Sequence, residues 1–386
     1  MSLHLTTFSF PTPTLFGPGG LKRLPERLAL LGVMKPLIVT DGGLVHTEAF
    51  RLLNAVMGEG GRDVSWFVFS GVHPNPIEED VMDGAKAYRD AGCDGVVAFG
   101  GGSALDVGKA VRLFVKRPEL KLGDFRYEDD WRGLAPCVCI PTTAGTGSEM
   151  GRSSVITLAA TGRKAVLFHP ELLADFVILD PEVTVGLPPK LTAATGIDAL
   201  THCIESYTCP VFHPMGDGVA LEGVRLVANY IERACKNGAD LEARGRMLAA
   251  AAMGAVAFQK DLGATHSLAH PLSTLCGMHH GLANALCLPF VMEFNSQRLR
   301  GLYRRVGIAC GLDIVSAGDG EADAKTILFV RDLLAMVGIE LGLSRYGVTL
   351  DRLDALVAQA VDDPCHRTNP VPVTADDLRG LYIAAM

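Results

Sequence analysis

The sequence predicts an N-terminal α/β region with a parallel, Rossmann-like sheet, followed by an all-α C-terminal region. Two observations lead to this fold class. Before residue 185, short apolar segments alternate with segments of helical periodicity, and two of the apolar segments run into glycine-containing loops. After Pro188-Pro189, nearly every segment has helical periodicity and many are rich in alanine. We therefore divide the chain into an α/β domain at 1–185 and an all-helical domain at 186–386.

The N-terminal elements follow from the apolar patterns in chain order. Residues 4–16 alternate polar and apolar and end at a Gly-Pro-Gly-Gly turn, which predicts a strand or hairpin. Short apolar runs closed by an acid or a glycine predict buried parallel strands. The expected order is helix 21–31, strand 35–41, helix 47–58, strand 64–69, helix 77–91, strand 96–99, helix 104–116 and strands 136–141, 154–158 and 176–179.

The C-terminal half predicts helices throughout. The periodicity is clearest at 192–204, 216–236, 240–260 and 322–341. Within 265–281, the breakers Pro271, Gly277 and Gly281 predict a helix end, a loop and a helix restart. Such a break can direct side chains from two segments toward one point.

Composition excludes several classes of partner. The chain has 386 residues, 48% of them hydrophobic and 20% charged, which is ordinary for a globular protein with two cores. The net charge is −8, the pI is about 5.8, and no run of Lys and Arg exceeds two residues. We therefore expect no nucleic acid and no anionic membrane as partners.

Three features predict a cytoplasmic location. The N-terminus lacks the basic start and long apolar core of a signal peptide. The most apolar helical stretch, 247–258, is shorter than the roughly 20 residues that a bilayer-spanning helix needs. The ten cysteines are irregularly spaced without a CxxC motif, as is typical of reduced, buried thiols.

A glycine turn at 100–106 predicts a phosphate site. It follows the apolar run 96–99 and precedes a helix, so backbone N–H groups and the helix N-terminus can face a phosphate. Ser103 and Asp106 form the S-x-x-D pattern of a capping box, and we assign both residues to the cofactor site. The turn is not GxGxxG and lacks the acid about 20 residues later. A tight turn without a ligand is the alternative.

A second loop, at 141–149, strengthens the prediction of a nucleotide crevice. It follows another predicted strand and carries several hydroxyls and glycines that can bind phosphates or ribose. Two such loops at strand ends fit the ligand crevice of open α/β sheets. Asp41 ends a strand on the same side, where a carboxylate would accept from a ribose hydroxyl and favour NAD over NADP. The alternative for Asp41 is a turn or helix-capping acid.

Two clusters in the helical region carry metal-binding side chains. Asp198 and His202 are one helical turn apart, so their side chains project together. One carboxylate with two or three imidazoles suits Fe(II), Zn(II), Co(II) or Mn(II) better than Ca(II) or Mg(II). Core histidines and an Asp–His hydrogen bond within one helix are the alternatives. Residues 265–281 hold four of the eleven histidines, which are His266, His270, His279 and His280.

The motifs together resemble the iron-containing (group III) alcohol dehydrogenase family, the group that includes lactaldehyde reductase and 1,3-propanediol dehydrogenase. The resemblance covers essentially the full length, and the order and spacing of the motifs make it specific. They are PNP at 74–76, GGGSALD at 100–106, PTTAGTGSE at 141–149, GIDALTHCIESY at 196–207, GATHSLAHPLSTLCGMHHG at 263–281 and TNP at 368–370.

The resemblance implies a dehydroquinate synthase-like fold, with a cleft between a dinucleotide-binding domain and a helical, metal-binding and substrate domain. His270 matches a family histidine beside the nicotinamide and the substrate, and we expect it to relay a proton. The implied metal ligands are Asp198, His202, His266 and His280, a choice that spacing alone leaves open. The residues matched to cofactor contacts are Asp41, Asn75, Gly101, Gly102, Ser103, Thr142, Thr143, Thr146, Val155 and Lys164.

Two positions depart from the family pattern. His279 stands where the family usually has proline, so a competing metal ligand is an open alternative. Ser273 stands where a glycine is usual. The candidate pocket positions mix apolar and polar character and leave the substrate open; they are Gly151, Phe258, His366 and Asn369.

The function implied by the resemblance is hydride transfer between NAD(H) and a short primary alcohol or aldehyde, with a diol or a hydroxy acid also fitting. Fe(II) is the expected metal, Zn(II) the alternative, and a homodimer is expected. The other readings are a metal-independent maleylacetate reductase-type enzyme, a zinc polyol dehydrogenase such as glycerol dehydrogenase, and a catalytically silent nucleotide- or metal-binding protein. The complete set of one Asp and three His argues against metal independence.

Overall fold

The N-terminal region is built on a parallel sheet, as the sequence predicts. The structure is a computed structural model that describes residues 12–59, 65–160 and 162–386. In that part of the chain the sheet has six strands in the order β1-β8-β5-β4-β2-β3, all parallel. The strands are β1 (Thr14–Phe16), β2 (Pro36–Asp41), β3 (Phe67–Val72), β4 (Gly95–Gly100), β5 (Cys137–Pro141) and β8 (Phe176–Leu179).

Helices cover both faces of this sheet, which is why its central strands are apolar along their whole length. Val96 and Ala98 of β4 face one core, whereas Val97 and Phe99 face the other. The first core lies under α3 and α4, and the second under α1 and α2. These helices are α1 (Leu24–Leu30), α2 (Glu48–Glu59), α3 (Glu78–Ala91) and α4 (Gly102–Lys116).

A two-stranded antiparallel hairpin stands apart from the sheet. It pairs β6 (Ser153–Thr157) with β7 (Lys164–Phe168). The strand predicted at 154–158 is therefore present, but it is not a strand of the main sheet. The sequence analysis missed β7, although its sequence KAVLF contains four consecutive apolar residues. The predicted segment 4–16 is described only from residue 12 onward.

The C-terminal region is helical, with one large apolar core. Its helices are α5 (Pro189–Thr208), α6 (Pro214–Lys236), α7 (Leu241–Ala257), α8 (Ala264–Cys276), α9 (His280–Arg298), α10 (Arg304–Ala309), α11 (Asp319–Met336), α12 (Leu353–Asp362) and α13 (Ala375–Ala385). On α7, Ala252 and Ala255 also pack into the core between the sheet and α3–α4. The division of the chain at residue 185 stays a prediction.

The predicted break in the histidine-rich segment is only partly right. Pro271 does not end a helix: it lies inside α8, where it removes one backbone hydrogen bond but sits between the buried residues Leu268 and Leu272. The helix ends at Gly277, whose φ of 65° places it in the left-handed region that favours glycine. The next helix begins at His280, one residue before the predicted Gly281.

Candidate active site

The two predicted nucleotide loops meet at the carboxyl edge of the sheet, because β4 and β5 are neighbours. Thr142 N donates to Gly100 O at 2.9 Å. A Cβ on Gly102 would lie 2.6 Å from Thr146 Oγ1, so the second loop presses on the first turn of α4. The first N–H groups of a helix have no partner within it and suit a phosphate. The residues brought together here are Gly101, Gly102, Ser103, Thr142, Thr143 and Thr146.

The predicted capping box of Ser103 and Asp106 is wrong. Helix α4 begins at Gly102, so Ser103 lies inside the first turn and cannot serve as the N-cap. Ser103 Oγ donates to Pro74 O at 2.6 Å instead. Asp106 accepts from Ser148 Oγ at 2.5 Å and from Val155 N at 3.0 Å, so its carboxylate fastens the second loop and β6 to α4.

Asp41 lies beside the glycine turn, at the end of β2. Its Oδ1 accepts from Gly43 N and Leu44 N, both at 2.9 Å, and thereby closes a turn. Its Oδ2 points toward Gly100, at 3.9 Å from the position of a Cβ there. The turn-forming alternative for Asp41 is thus present, and one carboxylate oxygen still faces the crevice.

The remaining predicted cofactor neighbours belong to a loop and a hairpin that pack against α4. The loop that holds Asn75 rests on α4, because Pro74 O is the acceptor of the Ser103 hydroxyl. Val155 of β6 pairs with Val166 of β7. Lys164 begins β7, and burial lowers the pKa of its ammonium group, although Asp106, Asp198 and Asp363 oppose the shift.

The four predicted metal ligands converge. One ligand atom from each of these side chains lies within 4.8 Å of the others. Asp198 and His202 project from consecutive turns of α5, His266 from the first turn of α8, and His280 from the first residue of α9. The rings of His202 and His266 stack at 4.7 Å between centroids. Residues 64 positions apart in sequence, from His202 to His266, thus share one point.

Gly281 makes this convergence geometrically feasible. A Cβ at Gly281 would lie 2.2 Å from the carbonyl oxygen of Ala194 and 3.1 Å from Asp198 Cβ. Only a residue without a side chain allows the start of α9 to approach α5 so closely. That approach places His280 Nε2 3.6 Å from Asp198 Oδ1.

Glu205 orients His266 within the site. Its Oε2 lies 2.6 Å from His266 Nδ1, and its Oε1 accepts from Thr265 N at 2.7 Å. Burial lowers the pKa of His266, but the hydrogen bond and charge of Glu205 outweigh burial and the net shift is upward. Because Nδ1 is held by the carboxylate, Nε2 is the atom that faces the other donors, which is the usual arrangement of a histidine ligand.

The donor set fits a transition metal ion. Burial lowers the pKa of His202 to about 4 and that of His280 well below its ordinary value, so both imidazoles are neutral at pH 7. The buried Nδ1 atom of His280 finds no hydrogen-bond partner among the described residues. One carboxylate and three imidazoles around one point suit Fe(II) or Zn(II) better than Ca(II) or Mg(II).

His279, the alternative ligand, is not a member of the converging group. It precedes α9 and its side chain is exposed, whereas His280 begins the helix and turns toward α5. His270 also stays outside the four, although its ring stacks on that of His280 at 5.3 Å. His270 lines a cleft of about 210 Å³ together with Lys164 and Asp363.

The sequence analysis gave no role to three side chains of the site, which are Glu205, Asn284 and Asp363. Asn284 lies one turn after His280 on α9, and its Nδ2 is 2.7 Å from Asp198 Oδ1. Its four-residue spacing from His280 was a usable signal. Asp363, whose Oδ2 is 2.7 Å from His270 Nδ1, is 93 positions away and gave no local signal.

The candidate pocket positions separate in the structure. Gly151 and Phe258 line a cavity of about 170 Å³, and the Phe258 ring lies 5.3 Å from that of His202. Asn369 is buried and uses both ends of its amide, accepting from Ala264 N at 3.2 Å and donating to Val371 O at 2.7 Å. The amide of Asn369 therefore joins protein segments, and its assignment to the pocket stays a prediction.

Comparisons with known proteins give matches over nearly the whole chain. Residues 11–181 match the sequence model of the family Iron-containing alcohol dehydrogenase, and residues 192–386 match that of its C-terminal part. The 4-hydroxybutyrate dehydrogenase of Cupriavidus necator is 38% identical, over 95% of this chain and 96% of that protein. The 1,3-propanediol dehydrogenase of Klebsiella pneumoniae is 34% identical, over 99% of each chain.

Solved structures also match this chain over nearly its full length. A 1,3-propanediol oxidoreductase superposes with a TM-score of 0.94 at 32% identity, covering 99% of this chain and all of that chain. The sulfoacetaldehyde reductase of Bifidobacterium kashiwanohense, solved in complex with NAD⁺, superposes with a TM-score of 0.88 at 28% identity, covering 99% of each chain.

A protein with this fold and this donor set is an alcohol dehydrogenase of the metal-containing class. The matches over both halves place the chain in the iron-containing alcohol dehydrogenase family, as the motifs suggested. Among the helices of residues 12–59, 65–160 and 162–386, we find none with the length and apolar character needed to cross a membrane.

Proposed function

We propose that the chain interconverts a short primary alcohol and its aldehyde, with His270 as the proton relay. The proposed metal ligands are Asp198, His202, His266 and His280. The observation that carries this proposal is the convergence of these four side chains within 4.8 Å beside the ring of His270. A metal-independent enzyme would have no use for a complete, mostly buried donor set of this kind.

The chain's own residues determine where the chemistry takes place. When bound, the metal polarises the substrate oxygen and NAD exchanges the hydride. Glu205 fixes the ring of His266, and Asp363 holds His270 Nδ1, so that His270 Nε2 is left to exchange a proton with the substrate. Burial of the ligand side chains keeps bulk water away from the reacting atoms.

We further propose that the glycine turn of α4 binds the pyrophosphate of NAD and that the Asp41 carboxylate accepts a hydrogen bond from the ribose of the cofactor. The free Oδ2 of Asp41 near Gly100 supports this placement. A negative charge there would repel the 2′-phosphate of NADP. The assignment is tested by measuring kcat/KM with NADH and with NADPH. Equal values for the two cofactors would exclude it. The proposed neighbours further along the cofactor are Asn75, Asp106, Thr142, Thr143, Thr146, Val155 and Lys164.

The proposed substrates are short alcohols with a second polar end. Two relatives are named for 4-hydroxybutyrate and 1,3-propanediol, which both have a primary hydroxyl and a polar group a few atoms away. The cavity beside Phe258 has about 170 Å³ and is lined by both apolar and charged side chains, including Arg152 and Asp261. This composition suits a small bifunctional molecule better than a long alkyl chain.

We also propose a homodimer in the cytoplasm. Among the strands of the described residues, β1 lies at an edge of the sheet, and Phe16 on it is 51% exposed. An open edge strand can pair with a second copy. Light scattering after size-exclusion chromatography tests the dimer, and a monomer at micromolar concentration would contradict it.

The decisive experiment measures NADH oxidation with a panel of aldehydes, with and without a chelator. We expect turnover of propanal, 3-hydroxypropanal or succinic semialdehyde that is lost on chelation and restored by Fe(II). Elemental analysis of the purified protein identifies the metal, and zinc would favour the polyol dehydrogenase alternative. Chelator-insensitive turnover would indicate the metal-independent alternative, and cofactor binding without turnover would indicate a silent protein.

A further inference from the structure

Asn284 contacts three of the four proposed metal ligands. Its side chain is fully buried on α9. Its Nδ2 donates to Asp198 Oδ1 at 2.7 Å and lies 3.2 Å from the Nε2 atoms of both His266 and His280. One amide nitrogen therefore touches donors from α5, α8 and α9 at once.

The other end of the same amide is unused. Asn284 Oδ1 is buried and meets no hydrogen-bond partner within the described chain. A buried amide that serves packing alone normally uses both ends. Asn295, on the same helix, does so: its Oδ1 accepts from Asn369 at 2.7 Å and its Nδ2 donates to Tyr303 Oη at 3.2 Å. The contacts described for the Asn284 amide are all with proposed metal ligands, whereas the Asn295 amide contacts none of them.

The chemistry of the contacts explains this asymmetry. Asp198 Oδ1 is a hydrogen-bond acceptor. His266 Nε2 is also an acceptor in the tautomer that carries its proton on Nδ1 and donates a hydrogen bond from there to Glu205. Lone pairs that converge on one point repel each other when no cation lies between them. An N–H dipole directed at them offsets this repulsion and keeps the side chains in place.

We propose that Asn284 is a positioning residue of the metal centre, which gathers the donors of three helices and holds the carboxylate of Asp198. The inference rests on the proposed function, because it assumes that the four side chains bind a metal ion. Its position four residues after His280 puts both side chains on the same face of α9, so the helix that supplies the last ligand also supplies the group that aligns it.

Cobalt binding tests the proposal without relying on activity. Chelator-treated wild type, Asn284→Ala and the matched control Asn295→Ala are titrated with Co(II), with its visible absorption and chelator competition as readouts. Loss of a group that orients metal ligands typically weakens binding by about 10- to 100-fold. We expect a loss of this size in Asn284→Ala, together with a changed Co(II) spectrum, and an affinity within about twofold of wild type in Asn295→Ala.

A second variant avoids the cavity that alanine leaves. Asn284→Asp keeps the size of the side chain but replaces the N–H donor with an oxygen beside Asp198. We expect its melting temperature to fall more in the metal-free protein than in the Co(II)-loaded protein, because the cation relieves the repulsion between the carboxylates. A purely structural role would lower both melting temperatures equally.

The outcomes separate this proposal from the proposed function. Wild-type protein that fails to bind Co(II) would overturn the metal site itself. Wild-type binding with unchanged affinity in Asn284→Ala and Asn284→Asp would overturn only the role of Asn284. Equal losses in Asn284→Ala and Asn295→Ala, or failure of both Asn284 variants to fold while Asn295→Ala folds, would assign the residue to general packing.

Discussion

Nδ1 of His270 lies 2.7 Å from Oδ2 of Asp363. The other oxygen of Asp363 accepts from Ser267 Oγ at 2.8 Å and from Cys365 N at 2.9 Å, so the carboxylate is held on both sides. Burial lowers the pKa of His270, although Asp363 opposes the shift, so the ring is neutral at pH 7 with its proton on Nδ1. The free Nε2 is the atom that can take up or release a proton.

Asp363→Asn should slow turnover about 10- to 100-fold, because the amide can hold His270 in the wrong tautomer while the shape of the site is kept. Metal content should stay at the wild-type level, since neither residue belongs to the four converging side chains. Steady-state kinetics and elemental analysis of the same preparation check both parts. Asp354→Asn, an exposed neighbour paired with Arg379, is the control. Wild-type kcat in Asp363→Asn would refute the relay.

His266→Ala should abolish metal retention and turnover together, because it removes a proposed ligand and the imidazole partner of the buried Glu205 carboxylate. His279→Ala should retain both, since His279 is exposed and outside the converging group. Metal content per chain and NADH oxidation measure the two variants side by side. Metal-free His266→Ala with full activity, or loss of metal in His279→Ala, would reverse the assignment of the ligands.

Gly281→Ala should lose the metal site. Its Cβ would lie 2.2 Å from the carbonyl oxygen of Ala194, so α9 would have to move away from α5 and carry His280 with it. We expect metal content to fall at least tenfold and stability to fall by about 2 kcal/mol. Gly380→Ala is the control, because no described atom lies within 4 Å of its Cβ and alanine stabilises a helix interior by up to about 1 kcal/mol. Full metal occupancy in Gly281→Ala would show that the helices tolerate the shift.

Glu149→Gln should make the protein more stable at alkaline pH. Burial raises the pKa of Glu149 to about 7, only partly opposed by Lys109. The folded state therefore binds the carboxyl proton of Glu149 more tightly than the unfolded chain does. The resulting contribution to the free energy of unfolding is complete below about pH 4 and is lost as the pH rises through about 7. Glutamine cannot ionise and avoids this loss.

Urea denaturation at two pH values checks the effect. We expect Glu149→Gln to gain on the order of 2–3 kcal/mol over wild type at pH 8 and little at pH 5. Glu79→Gln, at an exposed position, should change neither value. An equal gain at both pH values would point to a cause other than ionisation.

Features that depend on local residue patterns could be predicted from the sequence. The run at 96–99 is apolar on both faces and emerged as the central strand β4. Asp198 and His202, one turn apart, indicated a shared helical face, and that face carries half of the converging donors. The choice of His280 over His279 came from family resemblance, because two adjacent histidines at a helix start differ only in the register of that helix.

Features that depend on register or on distant contacts were beyond the sequence. The false capping box at Ser103 arose because α4 begins two residues earlier than the pattern suggests. Asp363 could not be paired with His270 without knowing how α12 ends against α8. Asn369 looked like a polar pocket residue, but its amide joins two buried segments, which no periodicity reveals.

The donors of the metal centre come from three helices, α5, α8 and α9, and the first of these lies more than 50 residues before the other two. A bound ion consequently acts as a cross-link, and by mass action it favours the folded chain over the unfolded one. The supply of iron in the cell would then govern how long each copy survives proteolysis as well as how fast it works. A copy that loses its ion should be first cut at the short joint between α8 and α9, around Gly277.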